Sequence, residues 1–190
     1  MTARTHDIIA FTSLVTVSVY FPPDKLNLMT LFSAIIAADL GALIPDMDQA
    51  GNRIWDLLPA GQTVGKIFRR IFYKHRTITH SLLGLYGIYK GLEFILPKIF
   101  NTGFIDPKII LFSVMVGYIS HLIADSFTKE GLPLFFPLPV DIGIPPIKAF
   151  RIKAGGTVEK FIVFPAVLIY FIWFIYTKQP SLVALLQSVN

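Results

Sequence analysis

Five long apolar runs constrain what this chain can fold into. Each is close to the ~17–25 residues that an α-helix needs to cross the hydrocarbon core of a bilayer. Turn-forming residues separate the first two runs at Pro22-Pro23-Asp24 and the next pair at Asn101-Thr102-Gly103. The pattern predicts an all-α, polytopic transmembrane bundle that forms one domain over residues 1–190, with spans at about 6–21, 28–45, 79–97, 108–127 and 159–177.

The composition agrees with a membrane protein. Hydrophobic residues make up 54% of the chain and charged residues 15%, with a mean hydropathy of +0.63. Soluble domains carry about 25% charged residues. The chain has no cysteine, which excludes disulfides, thiolate metal sites and a cysteine nucleophile. The first run lacks a small-x-small cleavage site, so it is expected to be a retained helix.

Basic residues predict the orientation. Apart from Lys90, which lies within a span, twelve Lys and Arg residues fall on the side that holds the N-terminus and the 46–78 and 128–158 loops, and four fall on the other. The excess of positive charge predicts that the first side is cytoplasmic.

The two cytoplasmic loops are both expected to meet the membrane surface. Residues 62–74 have apolar positions at helical spacing and basic residues on the other faces, which predicts an amphipathic helix in the interface beside anionic lipid headgroups. Nucleic acid is the weaker interpretation of the same charges and is not expected as a partner. The 128–158 loop is rich in proline and aromatic residues, which indicates a segment held against the membrane.

Histidines and carboxylates gather at the cytoplasmic ends of the predicted spans. All four histidines of the chain lie there, although they are scattered through the sequence. His121 and Asp125 are four residues apart on one helix, so both project from the same face. Asp46 and Asp48 directly follow Pro45, where a helix end can turn both towards one centre. The candidate metal ligands are His6, Asp46, Asp48, His75, His80, His121 and Asp125.

Imidazole and carboxylate without thiolate suit Zn, Mn, Fe or Mg, and the set is large enough for one or two divalent ions. Two ions about 3.5–4 Å apart would activate water and stabilise a phosphoryl or acyl oxyanion.

Each feature also has a plainer interpretation. His6 can be a wetted side chain at the interface, and Asp46 a helix terminator. Asp125 can form a salt bridge with Arg76 or Lys129 without a metal. Three other charged residues lie inside predicted spans, where a charge costs free energy and usually has a function. Asp39 can be protonated or paired with Lys90. Lys90 and Glu93 can also neutralise each other.

The combination of motifs resembles a known family, the LexA-regulated, inner-membrane predicted metal-dependent hydrolases (YdjM-like proteins). The similarity covers most of residues 6–160 and rests on His6 and on four stretches: Gly41 to Asp48 with Pro45-Asp46-Met47-Asp48, His75-Arg76-Thr77-Ile78-Thr79-His80-Ser81, Gly117 to Gly131 with His121 and Asp125, and Gly155 to Glu159. The resemblance implies a membrane-embedded hydrolase that uses metal, and it supplies no substrate.

Together these features predict a metal-dependent hydrolase at the cytoplasmic face of the inner membrane. Glu159 is expected to be a further ligand or the general base that takes a proton from the attacking water. Arg76 is expected to hold a phosphate or to stabilise developing negative charge. A site at headgroup depth predicts a phosphoester of a lipid or of another amphiphile as substrate. A metal-ion or proton-coupled transporter is the alternative, because it would use Asp39, Lys90 and Glu93; a non-catalytic scaffold is a third.

Overall fold

The structure of the protein, a computed structural model, describes residues 1–48, 53–56, 61, 63, 65, 66 and 76–189. Most of the predicted interfacial helix 62–74, and His75, lie outside these described residues.

The described residues form six α-helices and no extended sheet. The helices are α1 (Ala3–Tyr20), α2 (Leu28–Leu43), α3 (Leu82–Ile99), α4 (Pro107–Ser126), α5 (Phe164–Thr177) and α6 (Gln179–Gln187). Short 3-10 turns at Pro45–Asp48 and Ile78–His80 follow α2 and precede α3, and a π-helical turn at Glu159–Val163 leads into α5. The all-α prediction is confirmed, and α1 to α5 fall on the five apolar runs.

Three of these helices begin at side chains that cap them. The side-chain oxygen of Asn27 accepts from the Thr30 amide at 2.7 Å, and that of Asp106 from the Lys108 amide at 2.8 Å. Ser81 Oγ accepts from the Gly84 amide at 3.1 Å and donates to the Ile78 carbonyl at 2.7 Å. Each cap satisfies an amide that the first helical turn leaves without a partner. The cap at Ser81 also fixes the turn that carries His80.

Helices α2 and α4 form the centre of the bundle and approach each other very closely. A Cβ at Gly117 would lie 2.9 Å from both the Ala38 carbonyl carbon and the Ala42 nitrogen, and a Cβ at Gly41 2.8 Å from the Val114 carbonyl carbon. Only glycine fits at these two contacts. Small residues at a helix–helix interface let backbones approach in this way in membrane proteins.

Two of the described helices are long and apolar enough to cross a membrane, judged by length and composition: Pro107–Ser126, and Glu159–Thr177, which joins the π-helical turn to α5. They differ in environment. The apolar window of the first is 61% buried within the protein, whereas that of the second is 6% buried. The α4 helix is therefore an interior element, and α5 exposes its side chains to the surroundings.

The other three predicted spans do not meet this criterion of length and apolar composition. The α2 helix has only 16 residues, so it is about 24 Å long against a hydrocarbon core of about 30 Å. The charged residues Arg4 and Asp7 lie in the first turns of α1, and Lys90 and Glu93 lie within α3. Five spans therefore remain a prediction.

Candidate functional site

Four elements of the bundle end at one place and bring histidines and carboxylates together there. His6 comes from the first turns of α1, Asp46 from the turn after α2 and His80 from the turn before α3. His121 and Asp125 come from the last turns of α4. Two sets of three have ligand atoms within 4.8 Å of one another, and His121 belongs to both: His6, His121 and Asp125, and Asp46, His80 and His121.

Nε2 of His80 and Nε2 of His121 both lie near the same two carboxylate oxygens. His80 Nε2 lies 3.4 Å from Asp46 Oδ1 and 3.9 Å from Asp125 Oδ2. His121 Nε2 lies 3.7 Å from each of the same two oxygens. Tetrahedral ligands bound at zinc-like distances would be separated by about 3.4 Å. The observed separations of 3.4–3.9 Å range from that value to about 0.5 Å above it.

His121 is oriented for metal binding by the backbone of the neighbouring helix. Its Nδ1 lies 2.7 Å from the Ala42 carbonyl oxygen, to which it can only donate. Nε2 then carries the lone pair, and it is buried without a hydrogen bond. An outer carbonyl that fixes the tautomer of an imidazole is typical of histidine ligands. The close packing at Gly117, one turn before His121, brings this carbonyl within reach.

The His6 ring stacks on His121 with centroids 3.7 Å apart, and His6 Nε2 lies 3.2 Å from Asp125 Oδ1. Asp125 Oδ1 thus faces His6, whereas Asp125 Oδ2 faces His80 and His121. The amino nitrogen of Met1 also contacts Oδ1.

His80 is held by its neighbours in the turn before α3. The Tyr118 hydroxyl donates to the Thr79 carbonyl, and Thr79 Oγ1 lies 3.2 Å from His80 Nδ1. Tyr118 and His80 are both 0% exposed. Sequence reasoning missed Tyr118 as a positioning residue because its partner is a carbonyl 39 residues away.

Arg76 links the cluster to the following loop. Its guanidinium pairs with Asp125 Oδ2 and donates to Thr128 Oγ1 at 3.0 Å and to the Gly131 carbonyl at 2.9 Å. The Arg76 backbone has φ 60, an uncommon conformation for a residue with a side chain, and its amide donates to Asp48 Oδ2 at 2.9 Å. The salt bridge expected in the absence of metal is therefore present. In this arrangement Asp125 contacts Arg76 and still faces the histidines.

Asp48 is 4% exposed and contacts the Arg76 amide, outside the two sets of possible ligands. Glu159 is fully buried and receives four hydrogen bonds of 2.6–2.8 Å, from the amide and hydroxyl of Thr2, the Thr5 hydroxyl and the Gly155 amide. These contacts fasten the π-helical turn to the start of α1, the helix that carries His6. The ligand role of Asp48 and the general-base role of Glu159 stay predictions.

The charges inside the predicted spans are paired. Arg53 bridges Asp7 and Asp39, with 3.0 Å between nitrogen and oxygen in each pair, and so ties α1 to α2. Lys90 Nζ lies 2.6 Å from Glu93 Oε2, as expected for mutual neutralisation. Pairing of Asp39 with Lys90, one of the expectations from the sequence, is wrong: its partner is Arg53, which lies in a segment without periodicity.

Among the described residues of the cluster, Asp46 and Arg76 are the most exposed. The side chains of the three histidines are at most 2% exposed, whereas Asp46 is 25% and Arg76 12% exposed. Burial alone would raise the pKa of Asp46, but its hydrogen bond with His80 and the nearby His121 hold that pKa below its usual value. Asp46 is therefore ionised at neutral pH. An anionic oxygen and a guanidinium mark the accessible edge.

These residues fit a divalent cation. Imidazole nitrogens and carboxylate oxygens are the donors that zinc, manganese and iron accept, and His121 Nε2 is buried with its lone pair directed at the other donors.

Comparisons with known proteins agree with this picture. The family model described as YdjM inner membrane protein matches residues 1–182. A Bacillus subtilis (strain 168) protein described as uncharacterized protein YvsG is 31% identical over 163 residues, covering 85% of this chain and 87% of the relative. Inner membrane protein YdjM of Escherichia coli (strain K12) is 28% identical over 137 residues, covering 72% of this chain and 64% of that protein. No solved structure matches.

Proposed function

The chain belongs to the YdjM inner membrane protein family, and from that membership and the buried cluster we propose that it is a membrane-bound, metal-dependent hydrolase. Its substrate is a phosphoester of a lipid or of another amphiphile, presented at the cytoplasmic face.

The observation that carries this proposal is the environment of His121. A buried imidazole nitrogen without a hydrogen bond is unfavourable unless something binds it. The same nitrogen faces two carboxylates and lies in both sets of possible ligands. A bound cation would satisfy His121 and neutralise part of the buried negative charge of Asp125.

The chemistry follows from the donor set and from its accessible edge. A divalent ion held by His80, His121, Asp46 and Asp125 would supply Lewis acidity and a water of lowered pKa. Arg76, partly exposed beside Asp125, places a guanidinium where an anionic group of a substrate can contact it. Glu159 acts here as a positioning residue, because its hydrogen bonds hold the first turn of α1 and therefore His6.

The proposed topology has five spans, with the N-terminus and the cluster on the cytoplasmic side. The twelve-to-four distribution of basic residues supports this orientation. The helix bounds support the spans, since α1 to α5 begin and end within about five residues of the predicted runs. A cluster at the ends of spans lies at headgroup depth, where the phosphoester of a lipid is found.

The transporter alternative receives less support. It would use intramembrane charges that are free to bind ions. Asp39 is instead paired with Arg53, and Lys90 with Glu93. Flux measurements in liposomes distinguish the two functions, because the hydrolase proposal expects no metal- or proton-driven flux.

The test combines metal analysis with hydrolysis by the purified full-length protein. Bound metal is measured first, and hydrolysis of phospholipid, lipid phosphate and a generic phosphodiester is then assayed with and without a chelator. His121→Ala combined with Asp125→Ala is expected to remove both metal and activity, whereas Asp24→Ala, an exposed carboxylate at the other end of the bundle, retains both. Hydrolysis that survives chelation and the double substitution refutes the metal mechanism.

A further inference from the structure

The 132–150 loop exposes an unusual apolar surface beside the cluster. We define the apolar ledge as residues 135–150, whose large side chains face outwards and are 52–73% exposed: Phe135, Leu138, Val140, Ile144, Ile147 and Phe150. Patches of this kind mark contacts with membranes or proteins.

The ledge is ordered by backbone hydrogen bonds. Leu132 and Ile142 exchange two backbone hydrogen bonds of 2.7 and 2.8 Å, and the Ile144 amide donates to the Ser126 carbonyl at 2.8 Å. Its inner side packs on the bundle, where Leu132 is 1% exposed against Tyr118 and Leu122. The exposed side chains are therefore held outwards by a fixed backbone.

Its backbone suits an environment with little water. The loop contains Pro133, Pro137, Pro139, Pro145 and Pro146, which have no amide hydrogen to leave without a partner. The Arg151 guanidinium donates to the Pro145 and Pro146 carbonyls at 2.8 and 2.9 Å. Five amide hydrogens that would be unfavourable in lipid are thus absent, and the carbonyls of Pro145 and Pro146 are satisfied.

Two further observations select lipid as the partner. In the sequence the ledge is followed by the helix Glu159–Thr177, which is long enough to span a membrane and exposes Phe161 and Ile162 at its start. Exposed lysines lie on the ledge, at Lys148, and near it in the sequence, at Lys129, Lys153 and Lys160, as expected beside anionic headgroups.

We propose that the apolar ledge is embedded in the lipid leaflet that adjoins the cluster, so that the accessible edge of the cluster opens at the membrane surface. Arg76 connects the two, since its guanidinium contacts Gly131 at the base of the loop and Asp125 in the cluster. For the proposed hydrolase, on which this step rests, a substrate tail stays in the leaflet over the ledge while its headgroup reaches Arg76.

Depth measurements test the embedding without any assay of activity. The chain has no cysteine, so Leu138→Cys and Phe150→Cys each provide a single thiol for a nitroxide label. In vesicles of phosphatidylethanolamine and phosphatidylglycerol, collisions with oxygen and with a water-soluble nickel complex are compared. Ile172→Cys in the exposed helix is the lipid control, and Glu130→Cys is the aqueous control. Nitroxide labels at positions 138 and 150 are expected to collide more often with oxygen than with the nickel complex, as the label at position 172 does. Behaviour like that at 130 overturns the proposal.

A kinetic measurement tests the consequence for the substrate. Leu138→Ser combined with Phe150→Ser is expected to raise KM for a long-chain substrate in vesicles by about tenfold or more. The value of kcat, and KM for a short-chain soluble analogue, are expected to stay unchanged. An equal loss with both substrates refutes the role of the ledge in tail binding. Absence of hydrolysis by the unsubstituted protein would count against the hydrolase alone, because the depth result stands separately.

Discussion

The contact between α2 and α4 at Gly117 makes a demanding prediction about the cluster. Replacing Gly117 with alanine adds one methyl group, which would lie 2.9 Å from the Ala38 carbonyl carbon and the Ala42 nitrogen and closer still to the Ala38 oxygen. Ordinary van der Waals contact begins near 3.4 Å. Both neighbours are helix backbone, which cannot rotate away as a side chain can. The helices must therefore separate, by roughly 1 Å.

This separation acts on His121, one helical turn further along. The hydrogen bond from His121 Nδ1 to the Ala42 oxygen is 2.7 Å long and would stretch to about 3.7 Å, beyond hydrogen-bond range. Losing an outer partner of a metal-binding histidine typically lowers metal affinity by about 10–100-fold. Overpacking itself typically lowers the free energy of unfolding by about 1–3 kcal/mol. Gly117→Ala is expected to show both effects.

Competition with a chromogenic chelator measures the metal affinity, and thermal unfolding in detergent measures the stability. Gly87→Ala is the matched control, because a Cβ at Gly87 in α3 meets nothing within 4 Å. That variant is expected to keep its affinity and to gain up to about 1 kcal/mol from helix propensity. Gly41→Ala, at the other close contact of the same two helices, is expected to behave like Gly117→Ala. Unchanged affinity and unchanged stability in Gly117→Ala would refute the link between helix packing and the cluster.

Two other substitutions probe the residues that hold the cluster in place. Glu159→Gln keeps the shape of the side chain but removes the negative charge that receives four hydrogen bonds. Thermal unfolding is therefore expected to show that the free energy of unfolding falls by about 1–3 kcal/mol, while elemental analysis finds an unchanged metal content. Loss of metal without loss of stability would instead favour Glu159 as a ligand. Arg76→Lys keeps the positive charge, but a lysine side chain cannot contact Asp125, Thr128 and Gly131 at the same time. The unfolding temperature and the rate of hydrolysis are both expected to fall. Wild-type values for both would contradict the role given to the guanidinium.

The sequence predicted where the cluster would form because of a simple geometric rule. Residues at the same ends of antiparallel spans must lie on one side of a bundle, and the spacing of His121 and Asp125 places both on one helix face. His6, Asp46, His80, His121 and Asp125 indeed lie together. Their roles as ligands remain predictions, as does that of His75.

Other features depend on which helix packs against which, and no single segment carries that information. Gly117 and Gly41 are ordinary small residues until α2 and α4 are paired, and only then does the Ala42 carbonyl become the partner of His121. The contacts of Glu159 depend on the turn before α1, which lies more than 150 residues away in sequence. The hydrophobic periodicity of a helix indicates which of its faces is buried, but it does not identify the helix that packs against that face.

The position of the cluster also has an energetic reason. A carboxylate at the middle of a span would be expensive to ionise, since no water or counter-charge is near. At the end of α4, Asp125 is 1% exposed and yet contacts Arg76 and His6, while Asp46 remains partly hydrated. The hydrogen bond to the Ala42 carbonyl leaves His121 Nε2 available as a donor, and the guanidinium offsets part of the desolvation of Asp125. In the proposed topology, the boundary between bundle, lipid and water is a depth at which such a cluster can be buried, charged and within reach of a lipid headgroup.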